Sequence, residues 1–465
     1  MHGTVFYFTV LKYLYFVLNF FRGVLVAKVL GPEYYGVLGF WQMVQTYIGY
    51  GHLGIPYSVN LELALHRDGA HKYVAPGFWL VASLSLAIFV ITSLSFYFFN
   101  FGYEYYSSRY GFFALIGGIL LIFREFFIDI HQVFGNLYRI VVGDILTVVV
   151  LLLLPLFFSG ETLIYYSLLG FCLSSAISLL FLIRIRGVSI VGRPEFATCR
   201  TLLVAGVPMF AASMITYFAT LIPRAVLSLG DDNHRLGLFT LSVNIANAVM
   251  LGINSISWAI YPKLLAKTNI ASGQSDLERH VSRAMRLYPV VVAGVVIFSS
   301  IGIKLLMVWL PQYEGVEHVV SVMLLSQIIV SLSFGPATML YSNKLYNNLM
   351  MIGVLACSAV FVSSVILYQI NVNLIVFATC VAIGYIVYSF FCLYIYAKKT
   401  GSINWLSWTQ DNISFLLIVV VAYIGSVLHF NLLILYTGLF LIFLLSHYRD
   451  LFELRSIALS LYRKT

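Results

Sequence analysis

Charge is what this sequence has least of. Of its 465 residues 10% are Asp, Glu, Lys or Arg against 61% hydrophobic, and the mean hydropathy is +0.94. Soluble domains carry about 25% charged residues, and a single core stops growing near about 250–300 residues, so a water-solvated fold is excluded. Cysteine is also scarce. Of the five, Cys172, Cys357, Cys380 and Cys392 stand in apolar runs and Cys199 in a basic loop, with no CxxC pair and no His/Cys metal spacing. A disulfide scaffold and a zinc module are therefore excluded. There is no GxxxxGK[ST] phosphate loop and no GxSxG nucleophile turn, so nucleotide-driven and serine-hydrolase chemistry have no carrier. The net charge of +9 is not gathered on one soluble segment, which removes nucleic acid as a partner. No metal or organic cofactor is implied.

What is abundant is apolar sequence of helical length. Crossing about 30 Å of hydrocarbon takes roughly 20 helical residues, and backbone facing lipid must satisfy its own hydrogen bonds. Fourteen such runs can be read, the first near 5–29, the second near 36–60 and the last near 431–447. The last two are the shortest and form a tight hairpin around His429 and Asn431, so a twelve-span reading with a re-entrant end stays open. The first run holds Lys12 and Arg22 and lacks a small-residue cleavage site, so it reads as a span and not as a cleavable signal. With the N-terminus inside, 19 of the 27 Lys and Arg fall in inside loops and the tail. Three (Lys28, Arg109, Arg235) fall outside and five (Lys12, Arg22, Arg124, Arg224, Lys304) within spans. That asymmetry puts both termini in the cytoplasm and explains the basic balance without an acidic partner. The outside loops are short, the longest being roughly 100–110, which leaves no room for an extracytoplasmic catalytic domain and argues against a glycosyltransferase or polymerase.

Two turns resemble each other. Leu30-Gly31-Pro32-Glu33-Tyr34-Tyr35-Gly36 lies between the first two spans, and Leu229-Gly230-Asp231-Asp232-Asn233-His234-Arg235-Leu236-Gly237 between the seventh and eighth. Both read as LG, an acidic turn and a second Gly, six spans apart and on the same side. This predicts a parallel repeat about an axis along the membrane normal; the alternative is that Gly and acids simply make good interfacial turns.

The LGPEYYG turn, the polar-basic loop 183–200, the GLF to YPKLL stretch from Gly237 to Leu265, WLPQYEG (Trp309 to Gly315) and YSNKLYNN (Tyr341 to Asn348) resemble, in this order, the Wzx-type polysaccharide flippases. These belong to the multidrug/oligosaccharidyl-lipid/polysaccharide exporter superfamily. Two departures stand out: a stretch before the first turn shorter than is usual, and Pro311 where many relatives have a Gly-Pro pair. The resemblance implies an all-α polytopic membrane protein with about 14 transmembrane helices. Two six-helix lobes would surround a central cavity, 1–185 forming the first and 186–400 the second, with two appended helices and a cytoplasmic tail in 401–465. It also implies a transporter, not an enzyme, in the bacterial cytoplasmic (inner) membrane. The cargo would be undecaprenyl-diphosphate-linked oligosaccharide, moved by alternating access for O-antigen, capsule or exopolysaccharide assembly. Membrane lipid and the lipid-linked oligosaccharide are the implied partners; protons or sodium as coupling ions and a polysaccharide polymerase as a protein partner are left open. A cation-coupled multidrug exporter of the same superfamily and a lipid II flippase are the alternatives.

Polar residues inside spans are costly and mark cavities or partners. Lys12, Tyr15, Asn19 and Arg22 share one helical face, as do Gln42, Gln45, Gly49 and His52, then Ser213, Thr216, Thr220 and Arg224, and then Asn244, Asn247 and Asn254. These stripes line a polar cavity or serve as interhelical glue. A diphosphate leaving water needs about two opposing charges, Arg gripping it bidentately and Lys as a point charge. The candidate substrate-binding residues are therefore Lys12, Asn19, Arg22, Arg124, Arg224, Lys304, Gln42, Gln45, Asn244 and Asn247. Arg22, Arg224 and Lys304 also lie near enough to the outer ends to snorkel. Glu125, Asp129, Gln132 and Asn136 form one acidic and amide stripe, making Glu125 and Asp129 candidate ion-coupling carboxylates or, with Arg124 or Arg139, a neutralised brace. Asp144 reads as structural, near the cytoplasmic surface.

Overall fold

Gly31-Pro32 is where the sequence first breaks its own helix. Glycine accepts positive φ without steric cost, while proline removes a backbone donor and disfavours helix in the residue before it. The first helix, α1 (His2–Gly49), carries this break at Gly31 (φ 70, ψ 169), so the two apolar runs of the sequence become two segments of one bent element. Its apolar part, Val10–His52, has 43 residues. At about 1.5 Å per residue that is roughly twice the thickness of a bilayer core.

The computed structural model describes residues 2–65, 70–98, 108–184, 192, 194–230, 232–269, 274–343, 345–400 and 405–462. Arg67, Arg186, Arg193, Lys344, Arg463 and Lys464 of the orientation count lie outside them, as do the side chains of Asn254, Lys263, Lys267 and Arg279. After α1 come α2 (Ile55–Leu65), α3 (Ala70–Phe98), α4 (Ser108–Val133), α5 (Leu137–Leu153), α6 (Gly160–Ile183), α7 (Phe196–Ser228) and α8 (Asn233–Asn269). There follow α9 (Gln274–Val308), α10 (Val316–Ser331), α11 (Phe334–Ser342), α12 (Tyr346–Gln369), α13 (Leu374–Phe377) and α14 (Thr379–Thr400). The last are α15 (Trp405–Val427), α16 (Leu432–Ser446) and α17 (Tyr448–Tyr462). Among the described residues there is no strand, and nine helices are long and apolar enough to cross a membrane, or up to eleven if each bent pair counts as one span. The protein is an all-helical, multi-pass membrane protein.

The chain divides into two compact units: Met1–Ala211 with Asp231–Gly237, and Ala212–Gly230 with Leu238–Thr465. In the first, α1 lies on α4 because Gly117 and Gly118 leave room: a Cβ on Gly117 would sit 1.9 Å from the Gln45 amide and one on Gly118 2.5 Å from Ile48. Phe78 of α3 meets Phe123, Phe126 and Phe127 of α4 in a cluster of rings, with centroids 5.9 to 6.3 Å from its own. The two resembling turns also meet within this unit. A Cβ on Gly36 would lie 2.0 Å from the Asn233 carbonyl oxygen, and one on Gly237 1.8 Å from that of Pro32. Glycine at both places lets two backbones approach as no larger residue could.

In the second unit, α15 and α16 form a hairpin turned at His429 (φ 54), and the Asn431 side chain caps α16 by accepting from Leu433 N at 3.1 Å. A buried hydroxyl cluster ties this hairpin to α10: Ser321 bonds Ser426 at 2.7 Å and also the fully buried Tyr436. Beyond α16 the chain bends by 72° into α17. There Glu453 pairs with Arg283 at 2.7 Å and with Arg286 of α9, and Asp450 with Arg286 at 3.4 Å. These arginines are 53% and 56% exposed, so the pairs are screened by water and salt. Glu453→Ala is expected to lower stability by less than about 1 kcal/mol. Thermal melts at low and high salt check this, the difference from wild type vanishing at high salt.

Candidate functional site

A stripe of α5 explains where the charged cluster forms. Ile140, Val141, Asp144, Thr147, Val148 and Leu151 are the buried residues at helical spacing on this helix, so one carboxylate stands in the middle of a buried face whose other side chains are apolar save Thr147, which donates to the Gly143 carbonyl. Gly143 beside it lets α6 come close, a Cβ there falling 2.3 Å from Ser178 Oγ. A carboxylate so placed is stable only if cations and donors replace its water. They do: Lys12 Nζ of α1 lies 2.5 Å from Asp144 Oδ2, and the Arg124 guanidinium of α4 donates to Asp144 Oδ1. Lys12 also stands 5.0 Å from the ring centre of Tyr15 and 5.7 Å from that of Phe16, a favourable place for a cation. The side chains are 20% exposed for Lys12, 11% for Arg124 and 5% for Asp144. Two cations meet on this one carboxylate, Lys12 being the most reachable of the three, and Glu125 next to Arg124 in sequence is a second acid within electrostatic reach of Arg124, Asp144 and Lys12.

Among the described residues, the other expected residues of the first unit make no hydrogen bond or ion pair with this centre, although Glu125 interacts electrostatically with Arg124, Asp144 and Lys12. Asn19 and Arg22, both half-buried, continue the α1 face; Arg22 is ten residues on, about 15 Å along the axis. Gln42 is half-buried and Gln45 buried on the second segment of α1. Glu125 is exposed and Asp129 half-buried, and among the described residues neither carboxylate has a hydrogen bond or an ion pair. The amide of Asn60 donates to Gln132 Oε1 at 3.0 Å and to the Asp129 carbonyl at 3.2 Å. Arg139 donates instead to the Arg184 carbonyl. Asn136 does not continue the α4 stripe. The helix stops at Val133, Gly135 (φ 73) turns the chain, and Asn136 N closes back on the His131 carbonyl at 3.0 Å.

In the second unit Arg224 of α7 is buried and donates to Asn244 Oδ1 of α8 at 3.2 Å. Asn247 is exposed one turn further, and the exposed Lys304 of α9 donates to Asn431 Oδ1 at 3.3 Å. Of the expected residues the structure thus brings together Lys12 with Arg124, and Arg224 with Asn244. The residue underrated in the sequence is Asp144. A single acid inside the apolar run 140–153 is a signal that a cation must come to it, but no spacing within one helix says which.

The arrangement can grip an anion: a planar guanidinium and an ammonium converge on one oxyanion-sized position, already shown to hold a carboxylate. The family described as "Polysaccharide biosynthesis protein" matches residues 3–266. Among solved structures the chain is similar to the lipid II flippase MurJ in an inward closed conformation, with TM-score 0.67 and 14% identity over 96% of this chain and 100% of that one. It is also similar to an outward-facing MATE family multidrug transporter of the MOP superfamily, with TM-score 0.62 and 16% identity over 85% of this chain and 93% of that one. An inward-facing MATE transporter gives TM-score 0.56 and 14% identity over 85% and 98%. No curated protein matches the sequence. With a fold shared by membrane transporters and a family match over more than half its length, the chain belongs to the polysaccharide biosynthesis protein family.

Proposed function

We propose that this protein flips undecaprenyl-diphosphate-linked oligosaccharide across the bacterial cytoplasmic membrane by alternating access, supplying repeat units for O-antigen, capsule or exopolysaccharide. One observation carries the reading. Lys12 and Arg124 converge on one oxyanion-sized position at the inner face of α1, while the opposite face of that helix, Val10, Leu14, Val17 and Phe21, is exposed and apolar. A cation pair carried by a helix whose other face suits lipid fits an amphiphile whose head is anionic and whose tail is hydrocarbon. The diphosphate takes the two cations, the prenyl chain stays in lipid, and the sugars meet Asn19, Gln42 and Gln45. Arg22 on the same helix, and in the second unit by itself Arg224, Lys304, Asn244 and Asn247, are further candidate contacts of moderate strength, which suits release better than one tight site. Glu125 and Asp129, unpaired among the described residues, are the carboxylates assigned to proton or sodium coupling. Both termini face the cytoplasm in this scheme, and a polysaccharide polymerase is its natural protein partner. The second reading is a lipid II flippase, favoured by the match over the full length of that fold; it too needs a diphosphate site.

The test is a deletion strain fed radiolabelled sugar. Undecaprenyl-linked repeat units are expected to accumulate on the cytoplasmic leaflet while surface polysaccharide disappears, both reversed by the wild-type gene. Unchanged surface glycan with new sensitivity to cationic drugs would replace this reading with a small-molecule exporter. Arrested lipid II flipping would replace it with the second reading.

A further inference from the structure

A site meant only to attract anions would not keep a carboxylate between its cations. Asp144 is bound by both Lys12 and Arg124 and is the most buried of the three, so in this structure the cation pair already holds a carboxylate. Any anion that takes the pair must displace Asp144 and leave that carboxylate buried without its partners, a cost common to every ligand. What differs between ligands is the return. The phosphodiester of an ordinary anionic phospholipid carries one negative charge, as Asp144 does, and exchanging one for the other gains no net attraction. A sugar-linked diphosphate carries two and neutralises both cations. This matters because bulk phospholipid vastly outnumbers any lipid-linked intermediate, and Lys12, with 20% of its side chain exposed, is the most reachable of the three charged groups. Discrimination is a difference of affinities and is often obtained by penalising the wrong ligand.

We propose that Asp144 is a specificity-determining residue that sets a charge threshold: as resident counter-anion of Lys12 and Arg124 it excludes singly charged phospholipid headgroups and yields to a doubly charged diphosphate. This rests on the proposed function in taking a diphosphate as the group carried. Losing the carboxylate opens the site to the membrane's own lipids, so the variant is not simply a weaker binder but a less selective one. Shortening or lengthening the side chain is secondary to its charge.

The experiment reconstitutes wild type, Asp144→Asn, Asp144→Glu and Lys12→Gln/Asp144→Asn in vesicles of phosphatidylethanolamine with graded phosphatidylglycerol, and reads retained lipid by native mass spectrometry. D144N is expected to retain phosphatidylglycerol about tenfold above wild type, a ratio worth about 1.4 kcal/mol. D144E stays at the wild-type level, and the double variant falls back towards it because one of the two cations is gone. Equal retention by D144N and wild type, or D144E behaving as D144N, overturns the threshold. A second arm needs no variant: sugar-linked undecaprenyl diphosphate held by wild type should not be displaced as phosphatidylglycerol rises, and proportionate displacement overturns the threshold as well. If wild type holds neither lipid while D144N gains phosphatidylglycerol, the exclusion of singly charged lipid by Asp144 stands and the diphosphate reading falls. If wild type holds the sugar-linked diphosphate but D144N does not differ from it towards phosphatidylglycerol, the reading stands and the threshold falls.

Discussion

Arg124→Ala is expected to cut export of the lipid-linked oligosaccharide by at least about a hundredfold, with membrane abundance near that of wild type. Removing one member of a desolvated, hydrogen-bonded charge contact costs about 2–5 kcal/mol, and each 1.4 kcal/mol is about tenfold. Abundance survives because Asp144 keeps Lys12 as a partner, so no buried charge is stranded. Lys12→Ala behaves in the same way for the complementary reason. The double variant Lys12→Ala/Arg124→Ala differs: Asp144, 5% exposed, then has neither cation, and breaking a buried pair to that extent costs about 3–5 kcal/mol of stability. Export is therefore lost in each single variant, whereas folded protein is lost only in the double. Surface glycan blots together with fluorescence-detected size exclusion separate the two effects. Normal surface glycan in Arg124→Ala would remove the cation pair from the transport site.

The second large effect concerns Gly36 and Gly237. A Cβ on either would fall 2.0 or 1.8 Å from a backbone carbonyl oxygen of the other turn, and the two glycine backbones themselves are close: each Cβ position is 3.0 to 3.1 Å from the other's nitrogen. Backbone cannot rotate aside as a side chain does, so α1 and the start of α8 must separate to admit a methyl group. Gly36→Ala and Gly237→Ala should each destabilise the protein by about 1–3 kcal/mol, the usual range for overpacking. Once one methyl has pushed the helices apart, the second finds room already made. The double variant is thus expected to cost about as much as the worse single one, not the sum, because the two residues share one contact. Thermal melts of the four proteins in detergent decide this; strict additivity would mean that the two turns do not depend on each other.

Much of the fold was legible because its causes are local. An apolar run of span length has few outlets besides a helix in lipid, Gly31-Pro32 must break α1, and Asn431 must start α16 by capping it. Local rules also misled in places. The stripe drawn from Glu125 to Asn136 assumed that a period of 3.6 continues, but Gly135 ends the helix first. The loop expected over 183–200 is shorter, since α7 already begins at Phe196 and takes Cys199 into a helix. In both cases the turn chemistry of a few residues outweighed the apolar pattern around them.

The charges show where local reading stops. Periodicity placed Lys12 on a polar face and Arg124 inside a span, and it set Glu125 and Asp129 beside Arg124 as candidate partners. Helical spacing orders residues around one axis and carries no information about which faces of three helices converge. That depended on small residues, Gly117 and Gly118 admitting α1 to α4 and Gly143 admitting α6 to α5, and on the buried stripe of α5 that carries Asp144 inward. The sequence by itself determined that this is a multi-pass helical membrane protein with ionised groups it must neutralise. Only the tertiary structure decided that Lys12 and Arg124, 112 residues apart in sequence, meet on Asp144, because close packing at glycines is a property of pairs of helices and not of any one.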